Sequence, residues 1–439
     1  MIEKVYLRNF NRSTGILILT YIIMKKSGIT LSGLFCMSIL IFLLIPSIIS
    51  MTIRYQIDAQ MTQPQQQLQQ PQQQLQQPQQ QLQQPQQQLL YPVTNVPVGI
   101  SPFGIAHNPE NGYVYVTNFY SNSISVIDGF TNDLVVTIPL DSNSFPAGII
   151  SSPANGYVYV TNFYSPPTTG ANLSMGTVSV INGSTNSIVD TIQVGISPLG
   201  IAVNPENGNL YVTNFYSGSI SVINGSTNGV VSTIPSDAQG PLGIAVNPEN
   251  GNLYVTNFYS GSVSVINGTT NSIVDTIDGI SYPYQITYNL ANSNLYVTSP
   301  PTSSISIIDS SNNEVIGNIP ASLSPLGIAN NPDNGDLYIT NYNSDPSSTS
   351  SVSAIDDSTN SIITTIPTGG SGATGIMFNP DNRNMYVTNW YSQTVSVIST
   401  INLLQGQQQQ QQMQQPMQPQ QQPSQQQSIP PPPFISPYG

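Results

Sequence analysis

Short apolar runs separated by polar turns recur from about residue 92 to residue 401. The runs of one representative unit are Gly200–Val203, Leu210–Phe215, Ser219–Ile223 and Val230–Ile234. β-Branched and aromatic side chains fill these runs, as is typical of strands. Asn, Pro and Gly fill the segments between them, as is typical of tight turns. The pattern therefore predicts a four-stranded antiparallel meander in each unit.

The tetrad Tyr-Val-Thr-Asn, or a close variant of it, marks the second strand of every unit. Its tyrosines are Tyr115, Tyr159, Tyr211, Tyr254, Tyr296, Tyr338 and Tyr386. Successive tyrosines lie 42 to 52 residues apart in the sequence. Seven units of roughly forty residues, each with several short strands, are typical of the blades of a β-propeller.

The two ends of the repeat predict how the ring closes. The last unit stops after Val395–Ile398 and lacks a convincing fourth strand, whereas Pro92–Gly99 matches the fourth-strand segment Val189–Gly195. We therefore expect the N-terminal segment to complete the last blade, which would remove the exposed edges of an open sheet. The predicted fold class is all-β: a circular seven-bladed β-propeller of four-stranded antiparallel blades over residues 92–401.

The repeat also resembles a known family. Tyr211–Asn214, Ser221–Asn224 and Thr233–Pro235 are similar to the YVTN-type propeller repeat of archaeal surface-layer and bacterial periplasmic proteins. The resemblance covers residues 92–401, and the fifth unit departs from it most, with Ser299-Pro300-Pro301 in place of the usual Asn and aromatic residues. Propellers host many unrelated activities, so the resemblance implies the fold and no particular chemistry.

Basic residues precede a long apolar run near the N-terminus. Residues 1–28 contain five Lys and Arg residues, and residues 29–53 contain no charge. A helix of this length can cross a bilayer core of ~30 Å, and the basic residues predict a cytoplasmic N-terminal segment. Residues 29–53 are thus expected to be a transmembrane helix or a signal peptide. Met24 is a possible second start, and a cleavage site after Ala59 is possible, so anchoring and secretion both stay open.

Glutamine- and proline-rich segments flank the repeat on both sides. Residues 54–91 repeat Pro and Leu every seven residues, and a proline in every heptad excludes a continuous coiled-coil helix. Residues 402–439 are similar and end in Pro430–Pro433 followed by Phe434. Neither segment can bury a core, so we expect a disordered spacer before the propeller and a disordered tail after it.

The charge distribution excludes one class of partner. Charged residues make up 6% of the chain, and the formal net charge is −13. Between residues 92 and 400 there are 18 acidic residues and one basic residue, Arg383. A phosphate backbone would be repelled by this charge, so no nucleic-acid binding is expected. The single cysteine, Cys36, permits neither an internal disulfide nor a cysteine-rich metal site.

Few residues of the repeat could carry out catalysis. His107 is the only histidine, and other units have Val203 or Val246 at its position. The first strands, expected to line the channel, read Gly-Ile-Ala or similar and contain no carboxylate. Acid–base and metal chemistry both need convergent polar side chains. We therefore expect no enzymatic activity, no catalytic residue and no cofactor. The alternative is an exported propeller enzyme of the lactonase or hydrolase type.

Two further sets of polar residues could bind a ligand. Asp333, Asp336, Asp356 and Asp357 lie near turns and have the oxygen ligands that calcium prefers, but they lack the spacing of a calcium loop, so we expect no metal site. The asparagines of the tetrad are Asn118, Asn162, Asn214, Asn257, Asn341 and Asn389. We expect their side chains to hydrogen-bond to turn backbone and not to a ligand.

Turns after the first and third strands of a meander share one face of the ring, and the remaining turns share the other. The sequons Asn182, Asn224 and Asn267 follow third strands, and a fourth, Asn172, lies in an insertion after a second strand. All four are candidate glycosylation sites, although Asn-Gly-Ser is also ordinary turn chemistry.

The opposite face is the candidate binding face. Its candidate contact residues are Tyr120, Tyr164, Tyr216, Tyr259 and Tyr391. The insertions Pro166–Met175 and Asp345–Ser350 follow second strands as well, and insertions in repeat proteins often mark a binding face. The predicted function is that of a non-catalytic extracytoplasmic propeller for cell-surface binding, adhesion or envelope structure. Its partners would be an extracellular protein or glycan and, through the N-terminal helix, the membrane. The expected location is the cell surface, with secretion as the alternative.

Overall fold

The computed structural model describes residues 92–163, 175–236, 238–321 and 323–400. The predicted cytoplasmic segment, the apolar segment 29–53, the spacer and the tail all lie outside these residues. In the part of the chain that is described, no helix combines the length and apolarity needed to span a membrane.

Seven four-stranded antiparallel sheets make up the described structure. The chain enters through β1 (Val93–Pro97). Blade 1 consists of β2 (Pro102–Asn108), β3 (Tyr113–Asn118), β4 (Ser123–Asp128) and β5 (Leu134–Pro139). Blade 2 consists of β6 (Pro146–Ser151), β7 (Tyr157–Asn162), β8 (Thr177–Asn182) and β9 (Ser187–Gln193). Blade 3 consists of β10 (Pro198–Val203), β11 (Asn209–Asn214), β12 (Ser219–Asn224) and β13 (Gly229–Pro235).

The remaining blades repeat this order. Blade 4 consists of β14 (Pro241–Val246), β15 (Leu253–Asn257), β16 (Ser262–Asn267) and β17 (Ser272–Asp278). Blade 5 consists of β18 (Ile286–Asn289), β19 (Asn294–Ser299), β20 (Ser304–Asp309) and β21 (Glu314–Pro320). Blade 6 consists of β22 (Ser324–Asn330), β23 (Leu337–Tyr342), β24 (Ser351–Asp356) and β25 (Ser361–Pro367). Blade 7 contains β26 (Ala373–Asn379), β27 (Asn384–Asn389) and β28 (Thr394–Ser399). The predicted seven-bladed, four-stranded fold is confirmed.

Strand β1 supplies the fourth strand of blade 7. It pairs antiparallel with β28, so that Val93 lies opposite Ile398 and Pro97 lies opposite Thr394. Val96 of β1 is buried in the cluster that joins blade 7 to blade 1. The predicted closure of the ring by the N-terminal segment is therefore confirmed. The beginning of β1 and the end of β28 lie side by side.

The threonine of each tetrad links neighbouring blades at the channel. Thr213 Oγ1 accepts a hydrogen bond from the Gly200 amide at 2.8 Å and donates one to the Leu242 carbonyl of the next blade at 2.7 Å. Thr388 Oγ1 of blade 7 donates to the Phe103 carbonyl of blade 1 at 2.9 Å, which closes a circle of seven such bonds. We call these seven threonines and their partners the inner ring.

The tyrosine of each tetrad also links neighbouring blades, at a greater distance from the channel than the threonine. The Tyr211 side chain is fully buried, and its hydroxyl donates to Asn271 Oδ1 of the next blade at 2.8 Å. Asn271 adopts a positive φ of 54°, a conformation that asparagine tolerates better than most residues. The same tyrosine-to-asparagine contact occurs at six of the seven blade junctions. The tetrad is thus mainly a device for joining blades.

Two faces of the ring follow from the order of strands. The tyrosine face carries the turns after the second and fourth strands, and it includes Tyr120, Tyr216, Tyr259 and Tyr391. The sequon face carries the turns after the first and third strands, and it includes Asn182, Asn224 and Asn267. Strand β1 begins and β28 ends on the sequon face, so the segments before residue 92 and after residue 400 both join the propeller there.

Candidate binding site at the channel mouth

The tyrosines predicted to line a binding face follow the second strands, as expected from the sequence. The exposed fractions of Tyr120, Tyr216 and Tyr259 are 40%, 52% and 48%. Tyr391 is half-buried, and its hydroxyl lies 2.7 Å from that of Tyr342. Tyr164 lies outside the described residues. Burial raises the pKa of the Tyr216 and Tyr259 hydroxyls, so both stay neutral in physiological conditions.

A second circle of aromatic residues lies inside the first. It comes from the position directly after the tetrad in six blades, and its members are Phe119, Phe163, Phe215, Phe258, Tyr342 and Trp390. The two circles pack edge to face, with ring centroids 5.6 Å apart for Phe215 and Tyr216 and 5.3 Å apart for Phe258 and Tyr259. The exposed tyrosines are therefore held by the buried rings beneath them.

Beneath the aromatic circles, the first strands line an apolar cavity. Its volume is about 240 Å³, and isoleucines such as Ile105, Ile201 and Ile328 line it together with leucines and the inner aromatic residues. Among the residues that line this cavity, none is Asp, Glu, Lys, Arg or His. Such a cavity accepts uncharged groups, because a charged group there would lose its hydration without gaining a partner.

Acidic residues concentrate on the sequon face. Those in or beside its turns are Glu110, Asp128, Asp133, Glu206, Glu249, Asp309, Glu314, Asp333, Asp336, Asp356, Asp357 and Asp381. On the tyrosine face, the described acidic residues are Asp141, Asp278 and Asp345. Hydrogen bonds from Ser347 lower the pKa of the Asp345 carboxyl, which is therefore ionised. The two ends of the channel thus differ in charge.

The three described sequon asparagines occupy the same place in successive blades. Each ends a third strand and is partly exposed. The Oδ1 of Asn224, for example, accepts hydrogen bonds from the Ser226 and Thr227 amides at 2.9 and 3.1 Å. The oxygen therefore shapes the turn, whereas Nδ2, the atom that carries a glycan, has no hydrogen-bond partner among the described residues. Asn172 lies outside them.

The tetrad asparagines have a structural role with a partner that the sequence did not indicate. Asn214 Nδ2 donates to the hydroxyls of Ser219 and Ser221, at 3.2 and 3.0 Å, instead of to turn backbone. The reason is the register, which places Ser219 directly opposite Asn214 on the neighbouring strand. The expected turn-backbone partner is therefore wrong.

The only histidine has a partner that the sequence did not reveal. His107 Nε2 lies 2.8 Å from Asp381 Oδ2 across the junction of blades 1 and 7. The two residues are 274 positions apart, so only the closure of the ring brings them together. The pair lies on the sequon face, outside the lining of the apolar cavity. Tyr288 occupies the repeat position of His107 in blade 5. At the junction of blades 4 and 5, its hydroxyl donates to Glu249 at 2.8 Å.

The aspartates considered for calcium have local partners. Asp333 contacts Arg383 at 3.1 Å, and Asp336 accepts a hydrogen bond from Asn334 Nδ2 at 2.6 Å. Asp356 accepts hydrogen bonds from Ser358 and Thr359 in its own turn. Within the described ranges, no group of three or more His, Cys, Asp and Glu side chains is arranged to hold a metal ion.

Similar solved structures are propellers. Hydrazine synthase from Kuenenia stuttgartiensis is 20% identical with a TM-score of 0.59, and the match covers 69% of this chain and 96% of that chain. Virginiamycin B lyase from Staphylococcus aureus is 19% identical with a TM-score of 0.59, and the match covers 71% and 100%. A streptogramin B lyase structure is 16% identical with a TM-score of 0.57, over 70% and 97%.

At these identities the similarity shows the fold alone. No protein-family model matches the chain, and the search of curated proteins found no match. The resemblance to the YVTN-type repeat therefore stays a prediction from the sequence. The comparisons and the geometry together establish a seven-bladed β-propeller whose most distinctive surface is the aromatic mouth of an uncharged channel.

Proposed function

We propose that this chain is a non-catalytic extracytoplasmic binding protein of the YVTN-type repeat family, which takes an extracellular protein or a glycan on its tyrosine face. One observation carries the proposal. Exposed tyrosines surround the mouth of the channel and pack against a buried aromatic circle, whereas most charges lie on the opposite face.

This packing favours binding for an energetic reason. A side chain that is free in solution loses rotamer entropy when a partner immobilises it, at a cost of about 0.5–1.5 kcal/mol. Tyr216 and Tyr259 are already held, since both lie against Phe215 at centroid distances of 5.6 and 5.4 Å. Tyrosine and tryptophan are also the residue types that most often dominate binding energy at interfaces.

The position of the chain ends supports display outside the cell. The segment before residue 92 joins the propeller on the sequon face, and the predicted membrane segment lies at 29–53. In an anchored protein, the tyrosine face would then point away from the point of attachment. The spacer of 38 residues between them (54–91), at ~3.1 Å per residue if extended, would allow many tens of ångströms of separation.

The binding proposal can be tested with the purified full-length chain. The probes are an array of surface polysaccharides and an array of extracellular proteins, and the variant is Tyr216→Ser/Tyr259→Ser. Loss of two exposed aromatic contacts should weaken binding at least tenfold. The control, Tyr113→Ser/Tyr157→Ser, changes two partly buried tyrosines at the sequon-face end of the second strands and should bind normally. Equal binding by both variants would contradict the proposal.

The location can be tested by protease shaving of intact cells. Release of propeller peptides, with a peptide covering residues 34–54 retained in the membrane, is the result expected for an anchored protein. An intact propeller in the medium that begins near Gln60 would indicate secretion. Propeller peptides that stay protected inside intact cells would show that the extracytoplasmic location is wrong.

The alternative function, an exported hydrolase, depends on the His107–Asp381 pair. Its separation of 2.8 Å is suitable for a general base oriented by a carboxylate. A panel of lactones, incubated with the wild-type chain and with His107→Ala, decides between the two functions. Hydrolysis by the wild type that His107→Ala abolishes would favour the enzyme; no turnover by either chain would favour the binding protein.

A further inference from the structure

Blade 5 departs from the other blades at two positions that both face the channel region. Six first strands have a glycine at the start of the Gly-Ile-Ala pattern, but blade 5 has Gln285. Six blades place an aromatic residue after the tetrad, but blade 5 has Pro300. Gln285 directly precedes the first strand of blade 5 and Pro300 directly follows its second strand, so the channel is asymmetric at this blade.

Glycine is required at this position in the other blades by the neighbouring backbone. A Cβ on Gly200 would lie 2.2 Å from the Leu242 carbonyl oxygen, and one on Gly148 would lie 2.0 Å from that of Leu199. Both distances are far below van der Waals contact. A side chain can therefore be accommodated at this position only if the local backbone changes.

Blade 5 shows such a local change. Its first strand is shorter than the others and begins only at Ile286. The backbone amide of Gln285 still donates to Thr298 Oγ1 of the inner ring. The length of this bond is 3.1 Å, compared with 2.7 Å for the equivalent bond from the Gly243 backbone amide to Thr256 Oγ1. The link between blades 5 and 6 is kept, because Thr298 Oγ1 donates to the Leu326 carbonyl at 2.8 Å. The fold thus accommodates a long polar side chain where the repeat has none.

Gln285 lines the apolar cavity and is partly exposed to it. Its side-chain amide has no hydrogen-bond partner among the described residues. Two other polar groups of the lining are already bonded: the Thr374 hydroxyl lies 2.9 Å from that of Thr388, and the Tyr342 hydroxyl lies 2.7 Å from that of Tyr391. Gln285 therefore offers both a donor and an acceptor to a molecule in the cavity.

Pro300 changes the mouth on the same side of the channel. It is buried at the start of a single 3₁₀ turn, Pro300–Thr302, which replaces the aromatic residue and turn found in the other blades. Blade 5 therefore has no aromatic residue after its tetrad, and its aromatic contribution to the same buried cluster is Tyr284, from the segment before its first strand. This departure and the unpaired amide of Gln285 occur in the same blade.

We propose that the channel binds an uncharged ligand group with an apolar body and one amide, carbonyl or hydroxyl function, which hydrogen-bonds to Gln285. This inference rests on the proposed function, since it names the chemistry of the group that enters the channel from the tyrosine face. The cavity volume of about 240 Å³ suits a small molecule or one projecting group of a larger partner. Absence of ionisable Asp, Glu, Lys, Arg and His side chains from the lining excludes a charged group on energetic grounds.

Trp390 provides a direct measurement, because it lines the cavity and is the only tryptophan of the chain. The probes are octanamide and octanoate, which have the same shape and differ in charge. Octanamide should change the Trp390 fluorescence of the full-length chain in a saturable manner. Octanoate should bind at least tenfold more weakly, because its carboxylate would be buried without a cation.

Substitutions separate the role of Gln285 from that of the cavity. Gln285→Leu should weaken octanamide binding about three- to tenfold, the effect of one neutral hydrogen bond. Gln285→Gly, which restores the residue of the other blades, should show the same loss. Gln239→Leu makes the same chemical change on the exposed part of the tyrosine face and should leave octanamide binding unchanged.

The outcomes distinguish this inference from the proposed function. Unchanged octanamide affinity in both Gln285 variants would overturn the role of Gln285. Equal affinity for octanoate and octanamide would overturn the uncharged ligand class. Failure of octanamide to bind the wild-type chain would overturn the channel site, but binding of a macromolecule that depends on Tyr216 and Tyr259 would still support the proposed function.

Discussion

The two faces of the propeller use tyrosine in opposite ways. On the sequon-face side of the blades, the tetrad tyrosines such as Tyr211 are completely buried and donate hydrogen bonds to the next blade. On the tyrosine face, residues such as Tyr216 lie five positions further along the chain and are about half exposed. The same residue type, in the same repeat, therefore joins blades on one side and stays accessible on the other.

This difference indicates which features of the repeat maintain the fold and which are available for a partner. The buried tyrosines form hydrogen bonds across six of the seven blade junctions, and the inner ring forms them across all seven. The exposed tyrosines pack against the aromatic rings beneath them and keep a large part of their surface accessible. Changes to the first group should therefore reduce stability, whereas changes to the second group should alter binding.

Of all the changes considered, a rise in pH should reduce the stability of the folded chain most. Burial raises the pKa of Tyr115, Tyr159, Tyr254, Tyr296 and Tyr386, that of Tyr254 to about 12. Their stabilising contribution is complete below the unfolded-state pKa of about 10 and is lost as pH rises towards 12, because the unfolded chain releases these protons first. The rise in the pKa of Tyr254 from about 10 to about 12 corresponds to a loss of about 3 kcal/mol, and the other four tyrosines change the stability in the same direction.

Thermal unfolding followed by circular dichroism between pH 8 and about pH 12 measures this loss. Tyr254→Phe removes one titrating group and should make the fall in melting temperature less steep. A melting temperature that does not change over this range would show that the buried tyrosines do not control alkaline stability.

The inner ring lies between the two faces, so a substitution there should affect the whole domain. Thr213→Val keeps the shape of the side chain but leaves the Gly200 amide and the Leu242 carbonyl without their partner. Stranding two buried backbone groups should reduce the free energy of unfolding by about 2–4 kcal/mol, as measured in urea. Thr213→Ser keeps the hydroxyl and serves as the control; an equal loss in both variants would rule out the hydrogen bonds as the cause.

A pair of matched substitutions compares the faces directly. Tyr211→Phe removes the hydroxyl that donates to Asn271 Oδ1, while the Gly268 carbonyl keeps its bond from Asn207 Nδ2, and should cost about 1–3 kcal/mol of unfolding free energy. Tyr259→Phe on the tyrosine face should change it by less than about 0.5 kcal/mol, because the Tyr259 side chain is 48% exposed. If the two variants unfold at the same urea concentration, the structural distinction between the faces is wrong.

The smallest effect is expected at the closure on the sequon face. His107→Ala removes the contact with Asp381; the His107 side chain is 7% exposed and the Asp381 side chain is 56% exposed. A partly solvated pair of this kind contributes about 1 kcal/mol or less. The urea midpoint of His107→Ala should therefore lie between those of the wild type and Tyr211→Phe. A larger loss would show that the His107 contact is a major part of ring closure.

The sequence predicted the features that depend on local periodicity. Strands such as β11 and β12 fall within one or two residues of their predicted positions, because β-branched runs and Asn-Gly turns have strong local preferences. Closure by β1 was predicted as well, since the segment repeats the pattern of a fourth strand.

The sequence did not reveal features that depend on contacts between blades. The aromatic circle of Phe119 and Trp390 lies one residue before the predicted tyrosines, but its burial depends on stacking across the ring. The His107–Asp381 pair joins the two ends of the repeat. The sequence shows Gln285 as the one residue that is not glycine at this position of the repeat. Only the structure shows why this matters, because a carbonyl of the next blade lies too close to the other six positions for a Cβ.

Closure of the ring by β1 has a mechanical consequence. The segment before residue 92 joins at Val93 on the sequon face, and β1 runs from there towards the tyrosine face. If a partner holds the tyrosine face while an N-terminal tether is pulled, the force acts along β1. All five residue pairs between β1 and β28 would then be loaded together in shear, instead of separating one after another. The closing strand is thus oriented to resist the load that a tethered adhesion protein would experience.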